Sequence, residues 1–112
     1  MDNNRRFCLA LDLKDDPEII EKYKHHHRHV PENILKSIRE AGIRVMDIYL
    51  TGNRLFMIME VAEDFDFEKK EAMDAANPEV QEWEALMDTL QKTLPWAKPG
   101  EKWVLMEKIF SL

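Results

Sequence analysis

Polar and apolar residues alternate in "RFCLALDL" (residues 6–13), so that Phe7, Leu9, Leu11 and Leu13 share one side of an extended chain. Two more runs, 43–50 ("IRVMDIYL") and 54–62 ("RLFMIMEVA"), have strand composition and are separated by "TGN", a connection that suits a hairpin. Between the first strand and this pair the period changes to that of helices. Asp16 followed by Pro17 is an acidic cap with proline in the first turn, which predicts a helix from Pro17 to about Arg28. Its limit falls near Val30, because Pro31 drives the residue before it out of the α region. A second helix is expected over about 31–41, ending at Gly42. Residues 65–76 predict a short helix or an irregular connection. Asn77 and Pro78 open a helix over 77–90 that carries Val80, Trp83, Met87 and Leu90 at helical spacing. Beyond the loop "PWAKPGE", residues 102–110 predict a final strand.

The resulting order, β-α-β-β-α-β, predicts one ferredoxin-like α+β domain over residues 1–112, with helices on one face of an antiparallel sheet. The other face then needs cover, because it too carries large apolar side chains. Met57, Met59 and Val61 point one way and Phe56 and Ile58 the other. An apolar open face marks an interaction surface. The expectation is a homodimer with two sheets face to face, an assembly of the dimeric α/β-barrel type. Cover by loops of the same chain is the alternative.

Composition narrows the partners. With 45% hydrophobic and 34% charged residues the chain reads as a soluble globular protein. A net charge of −6 argues against nucleic acid or an anionic membrane surface as partner. No apolar run is long enough to span a bilayer, and "MDNNRR" leads into a strand-like run rather than a signal-peptide segment. The single cysteine, Cys8, excludes an internal disulfide and fits a reducing compartment, so a cytoplasmic protein is expected. Gly-rich phosphate loops, nucleophile elbows and acidic metal motifs are absent.

All four histidines lie in "YKHHHRHV" (23–30), within the first helix. At about 100° per residue, Ile19, Ile20, His27 and Val30 fall within roughly 60° of Tyr23. His26 sits at the edge of that sector, while His25 and His29 point away beside Glu21 and Arg28. His25 and His29 are spaced to share a metal, but a zinc site needs three or four ligands and nothing supplies the rest, so no metal is expected. His27 has two readings: a core histidine hydrogen-bonded to backbone or to Tyr23, or a proton donor or acceptor beside a tyrosine. Trp83 is likewise either core or a ring offered to the apolar face of a sugar. Spacing alone does not choose.

The chain resembles the L-rhamnose mutarotase family, and within it the L-fucose mutarotase-like members. The resemblance runs through "RFCLALDL", "IIEKY" with His27 four residues beyond Tyr23, and "AGI" before "DIYL". "NRLFMIMEV", "FEKKEAMDAANPEVQEWEALM" and "LPWAKPGEKWVLMEKIF" extend it over essentially the whole chain. It implies a ferredoxin-like dimer that interconverts the α and β anomers of a 6-deoxy-L-hexopyranose without a cofactor. It also implies Tyr23 as a sugar-binding residue, His27 as proton donor, and Trp83 as the first of a pocket tryptophan pair. The sequence departs from the family at the second tryptophan, which is Glu84, at a pocket tyrosine, which is Met46, and in "VPE" for "WPE". The base is not implied; water or a carboxylate would serve. Two other classes fit the same elements: a small cofactor-independent monooxygenase of the dimeric ferredoxin-like type, and a non-catalytic sugar- or metal-binding module.

Overall fold

The computed structural model of the chain describes residues 5–112. Residues 1–4, the start of the segment read as lacking a signal peptide, lie outside the described residues.

Nine elements follow one another: β1 (Arg5–Leu13), α1 (Pro17–Arg28), α2 (Glu32–Glu40), β2 (Ile43–Thr51), β3 (Arg54–Val61), α3 (Phe67–Ala75), α4 (Pro78–Asp88), β4 (Gln91–Lys92) and β5 (Val104–Leu105). The sheet order is β2-β3-β1-β4, and β5 also pairs with β1. Every pairing is antiparallel. This is the ferredoxin-like arrangement, with two helices in each crossover.

Register determines which side chains meet the helices. Phe7, Leu9 and Leu11 of β1 stand opposite Met59, Met57 and Leu55 of β3, which in turn oppose Met46, Ile48 and Leu50 of β2. These residues form the floor onto which the helices pack, in two clusters. One holds Leu9, Ile43, Met57, Met59, Val61 and Phe65; the other holds Leu13, Tyr23, Leu55, Met87 and Leu90. The opposite face carries Cys8, Ile58, Phe56 and Tyr49, and among the described residues no helix lies upon it. Tyr49 is 56% exposed there, and its ring lies 6.4 Å from that of Phe56.

Helix boundaries follow local chemistry. Asp16 caps α1 by accepting from the Glu18 amide at 2.8 Å, and Asn77 caps α4 by accepting from Glu79 and Val80. Gly42, at φ 93°, ends α2 in a conformation that side chains rarely adopt, and its carbonyl accepts from Ala62 at 2.8 Å, so the chain turns directly into β2.

The expected strand over 102–110 is corrected to two residues, Val104–Leu105. The place of a fourth strand beside β1 is shared by two short ladders, Gln91–Lys92 on Leu13–Asp12 and Val104–Leu105 on Ala10–Leu9. Between them Pro95 and Pro99 lack amide donors, and Gly100 takes a positive φ, so the chain loops away from the edge. After Met106 donates to the Cys8 carbonyl at 2.8 Å, the tail leaves β1. Ile109 and Phe110 are 88% and 77% exposed.

Candidate active site

Between the sheet floor and the helices lies a cleft of about 940 Å³, lined by Leu9, Met57 and Met59 below and by α1, α2, α4 and the C-terminal segment around it. It is ample for a small molecule, for which sites span roughly 300–1,000 Å³.

Helix α1 supplies one wall. Tyr23 and His27 are one turn apart and both line the cleft, their rings 4.2 Å apart and tilted 31°. Tyr23 is buried, and burial together with the charge of Glu84 raises its hydroxyl to a pKa of about 12, against a lowering hydrogen bond from the Gln91 side chain. It therefore stays protonated at neutral pH. His27 is half-buried, with Nδ1 2.8 Å from the Tyr23 carbonyl oxygen. A carbonyl can only accept, so Nδ1 carries the proton and Nε2 carries the lone pair. Burial lowers the His27 pKa, the Tyr23 carbonyl raises it, and the neighbouring His26 lowers it, for a net depression. The ring is mostly neutral at pH 7.

Helix α4 supplies the facing wall. Trp83 sits edge-on to His27, ring centroids 5.6 Å apart and planes at 69°. Tyr23, His27 and Trp83, singled out in sequence, are thus brought together on one cleft. The other histidines divide as helical geometry predicts. His26 is half-buried at the edge, 6.5 Å from Trp83, while His25 and His29 are exposed with rings 5.2 Å apart. Among the described residues no three His, Cys, Asp or Glu side chains are grouped to hold a metal ion. Met46 is half-buried, lines the cleft and packs on the core.

Sequence reasoning missed two cleft residues and the lysine that neighbours one of them. Gln91 lines the cleft from the first residue of β4. Trp103 lines the cleft from the C-terminal segment, and Lys102 beside it bonds to Glu84 Oε2 at 2.7 Å. No local pattern marks them, since each owes its place to chain distant in sequence. The chemistry available is proton exchange between a fixed neutral imidazole and a hydroxyl of a small ligand held among aromatic rings.

The model of the L-rhamnose mutarotase family matches residues 6–112. The L-fucose mutarotase of Xanthomonas campestris pv. campestris is 44% identical over 110 residues, covering 96% of this chain and 88% of that one. A protein of Dictyostelium discoideum is 34% identical over 115 residues, covering 96% and 90%. The crystal structure of an L-rhamnose mutarotase from Formosa agariphila superposes with a TM-score of 0.71 at 18% identity, over 96% of this chain and 98% of that one, a likeness of fold. With nearly the whole chain matched by the family model and by a relative of this identity, the chain belongs to the L-rhamnose mutarotase family.

Proposed function

We propose that this protein is a sugar mutarotase, an isomerase that interconverts the α and β anomers of a 6-deoxy-L-hexopyranose, L-fucose or L-rhamnose. The observation that carries the reading is the His27 imidazole, fixed as its Nδ1–H tautomer between the Tyr23 and Trp83 rings in a chain of this family.

Mutarotation opens the pyranose by removing the proton from the anomeric oxygen O1 and delivering one to the ring oxygen O5 as the C1–O5 bond breaks. The free aldehyde rotates and the ring closes by the reverse transfers. O1 and O5 are both bonded to C1, so one nitrogen reaches both. His27 Nε2 takes the O1 proton, and the imidazolium so formed is the acid that protonates O5. The histidine is then both base and proton donor in one cycle. Tyr23 orients the sugar through its hydroxyl, which does not ionise in the working range. Trp83 stacks on an apolar face of the ring. No cofactor takes part in this scheme.

The working unit is a homodimer joined through the open sheet face, supported by the exposed apolar side chains of that face and of the tail after Met106. A cytoplasmic location is part of the same reading, supported by the lone Cys8. Among the described residues no helix is long and apolar enough to cross a membrane.

The test is NMR saturation transfer between the anomers of L-fucose and of L-rhamnose, with and without protein. Accelerated exchange of either sugar is expected. No acceleration of either at catalytic concentration refutes the assignment, and substrate-dependent oxygen uptake would point to a monooxygenase instead.

A further inference from the structure

We propose that Trp103 is a substrate-contacting ring of this site and that the Glu84–Lys102 ion pair is what positions it; this rests on the mutarotase reading. Trp103 comes to the cleft on a weakly tethered segment. Upstream is the loop with Pro95, Pro99 and Gly100, and downstream the ladder with β1 is two residues long, Val104 and Leu105, followed by the Met106 bond to Cys8. Two ladder residues do not by themselves hold a large ring in one place.

The clasp is next to it in sequence. Lys102 Nζ lies 2.7 Å from Glu84 Oε2 and 2.5 Å from Asp88 Oδ1. Glu84 and Asp88 are one turn apart on α4, so a single ammonium from the C-terminal segment joins two successive turns of the helix that carries Trp83. Burial pulls the Lys102 pKa down, but the hydrogen bonds and charges of Asp88 and Glu84 outweigh it and leave it raised. The ammonium therefore stays charged throughout the range in which the enzyme would be assayed. The lysine side chain is 29% exposed against 43% for Glu84 and 60% for Asp88, so the ammonium is the sheltered end of a clasp whose carboxylates reach solvent, and it holds through two partners rather than one.

What the clasp delivers is an indole that is only half-buried. Trp103 packs against both core clusters, the second of which also carries Trp83, and it lines the cleft together with Tyr23, His27 and Glu84. One part of the ring is spent on the core and the rest is presented to the cavity. A deoxy-pyranose has apolar C–H faces as well as hydroxyls, and a second indole beside Trp83 gives those faces a second platform. Trp103 is then a binding residue, and Glu84 and Lys102 are positioning residues acting through it.

The experiment uses the full chain. In ¹H–¹⁵N spectra the indole N–H signals of Trp83, Trp96 and Trp103 are assigned by single Trp→Phe variants, then followed in the wild-type protein as L-fucose or L-rhamnose is added. The Trp103 signal is expected to move with that of Trp83. In anomer-exchange kinetics, Trp103→Leu should raise KM roughly 3- to 10-fold with little change in kcat, the size of one aromatic contact. Lys102→Met and Glu84→Gln should raise KM in the same direction, and Lys102→Arg should restore it. A wild-type protein that exchanges anomers while its Trp103 signal stays fixed overturns the proposal alone. So does an unchanged KM in folded Lys102→Met. A wild-type protein that exchanges neither sugar overturns the mutarotase reading, and this proposal with it.

Discussion

Raising the pH from 7 to 9 separates two ways in which His27 could start the reaction, as base or as acid, and the structure sets the size of the difference. Nδ1 is committed to the Tyr23 carbonyl, so the neutral ring offers only a lone pair at Nε2. The folded pKa is lowered from the ordinary histidine value of 6.5, by burial first and then by His26, against the raising effect of the Tyr23 carbonyl. Taking 6.5 as the upper bound, at least about three-quarters of the free enzyme is already neutral at pH 7. If the neutral form starts the reaction, kcat/KM rises by at most about 1.3-fold between pH 7 and 9. If the free enzyme must start as imidazolium, kcat/KM falls roughly 75- to 100-fold over the same span. Tyr23, raised to about 12, does not enter the window. The assay is saturation transfer at sub-saturating L-fucose, with the uncatalysed rate subtracted at each pH. A level profile above pH 7 with a fall below the depressed His27 pKa is expected. A tenfold loss per pH unit above 7 would refute the tautomer argument. The same shift has a consequence for stability. Because the folded pKa is depressed, His27 contributes stability that is fully present above the unfolded value near 6.5 and is lost as pH falls through the folded value.

Three further predictions test other parts of the molecule. His27→Ala should lower kcat/KM by about 10²–10⁴-fold, or roughly 3–5 kcal/mol in the barrier, with the circular dichroism spectrum unchanged. Asn77→Ala removes the side-chain oxygen that caps α4 at the Glu79 and Val80 amides. It should cost about 0.5–2 kcal/mol in urea unfolding, and an unchanged midpoint would show that the cap is idle. Phe56→Asp places a charge in the open sheet face, beside Tyr49, and should turn a dimer into a monomer in sedimentation equilibrium. A mass unaltered by this change, or a wild-type protein already monomeric, rules out that face as the contact.

The elements whose ends are decided within a few residues were legible in the chain. Asp16–Pro17 and Asn77–Pro78 start helices because an acceptor side chain and a ring-locked φ act locally, and Gly42 ends α2 for an equally local reason. The alternation in β1 and β3 predicted which residues meet the helices, because strand side chains can only alternate. The helical period placed Tyr23 and His27 on one face of α1 and left His25 and His29 to solvent. The final strand was not legible. Its composition suits a strand, but a strand exists only where an edge accepts it, and β1 offers the C-terminal segment two residues before the chain turns away.

Chemistry at the cleft divides in the same manner. Residue types and spacing named His27 and Trp83 as candidates but left each with a core reading beside the functional one. Tertiary structure set them 5.6 Å apart around a cavity, bound Nδ1 to a carbonyl and so settled which nitrogen carries the proton. It also brought Gln91, Lys102 and Trp103 to a site that no nearby motif marks. Local sequence determines caps, periods and faces because those depend on neighbours along the chain. Tautomer, burial and the partner of each charge depend on neighbours in space, and only the packed molecule decides them.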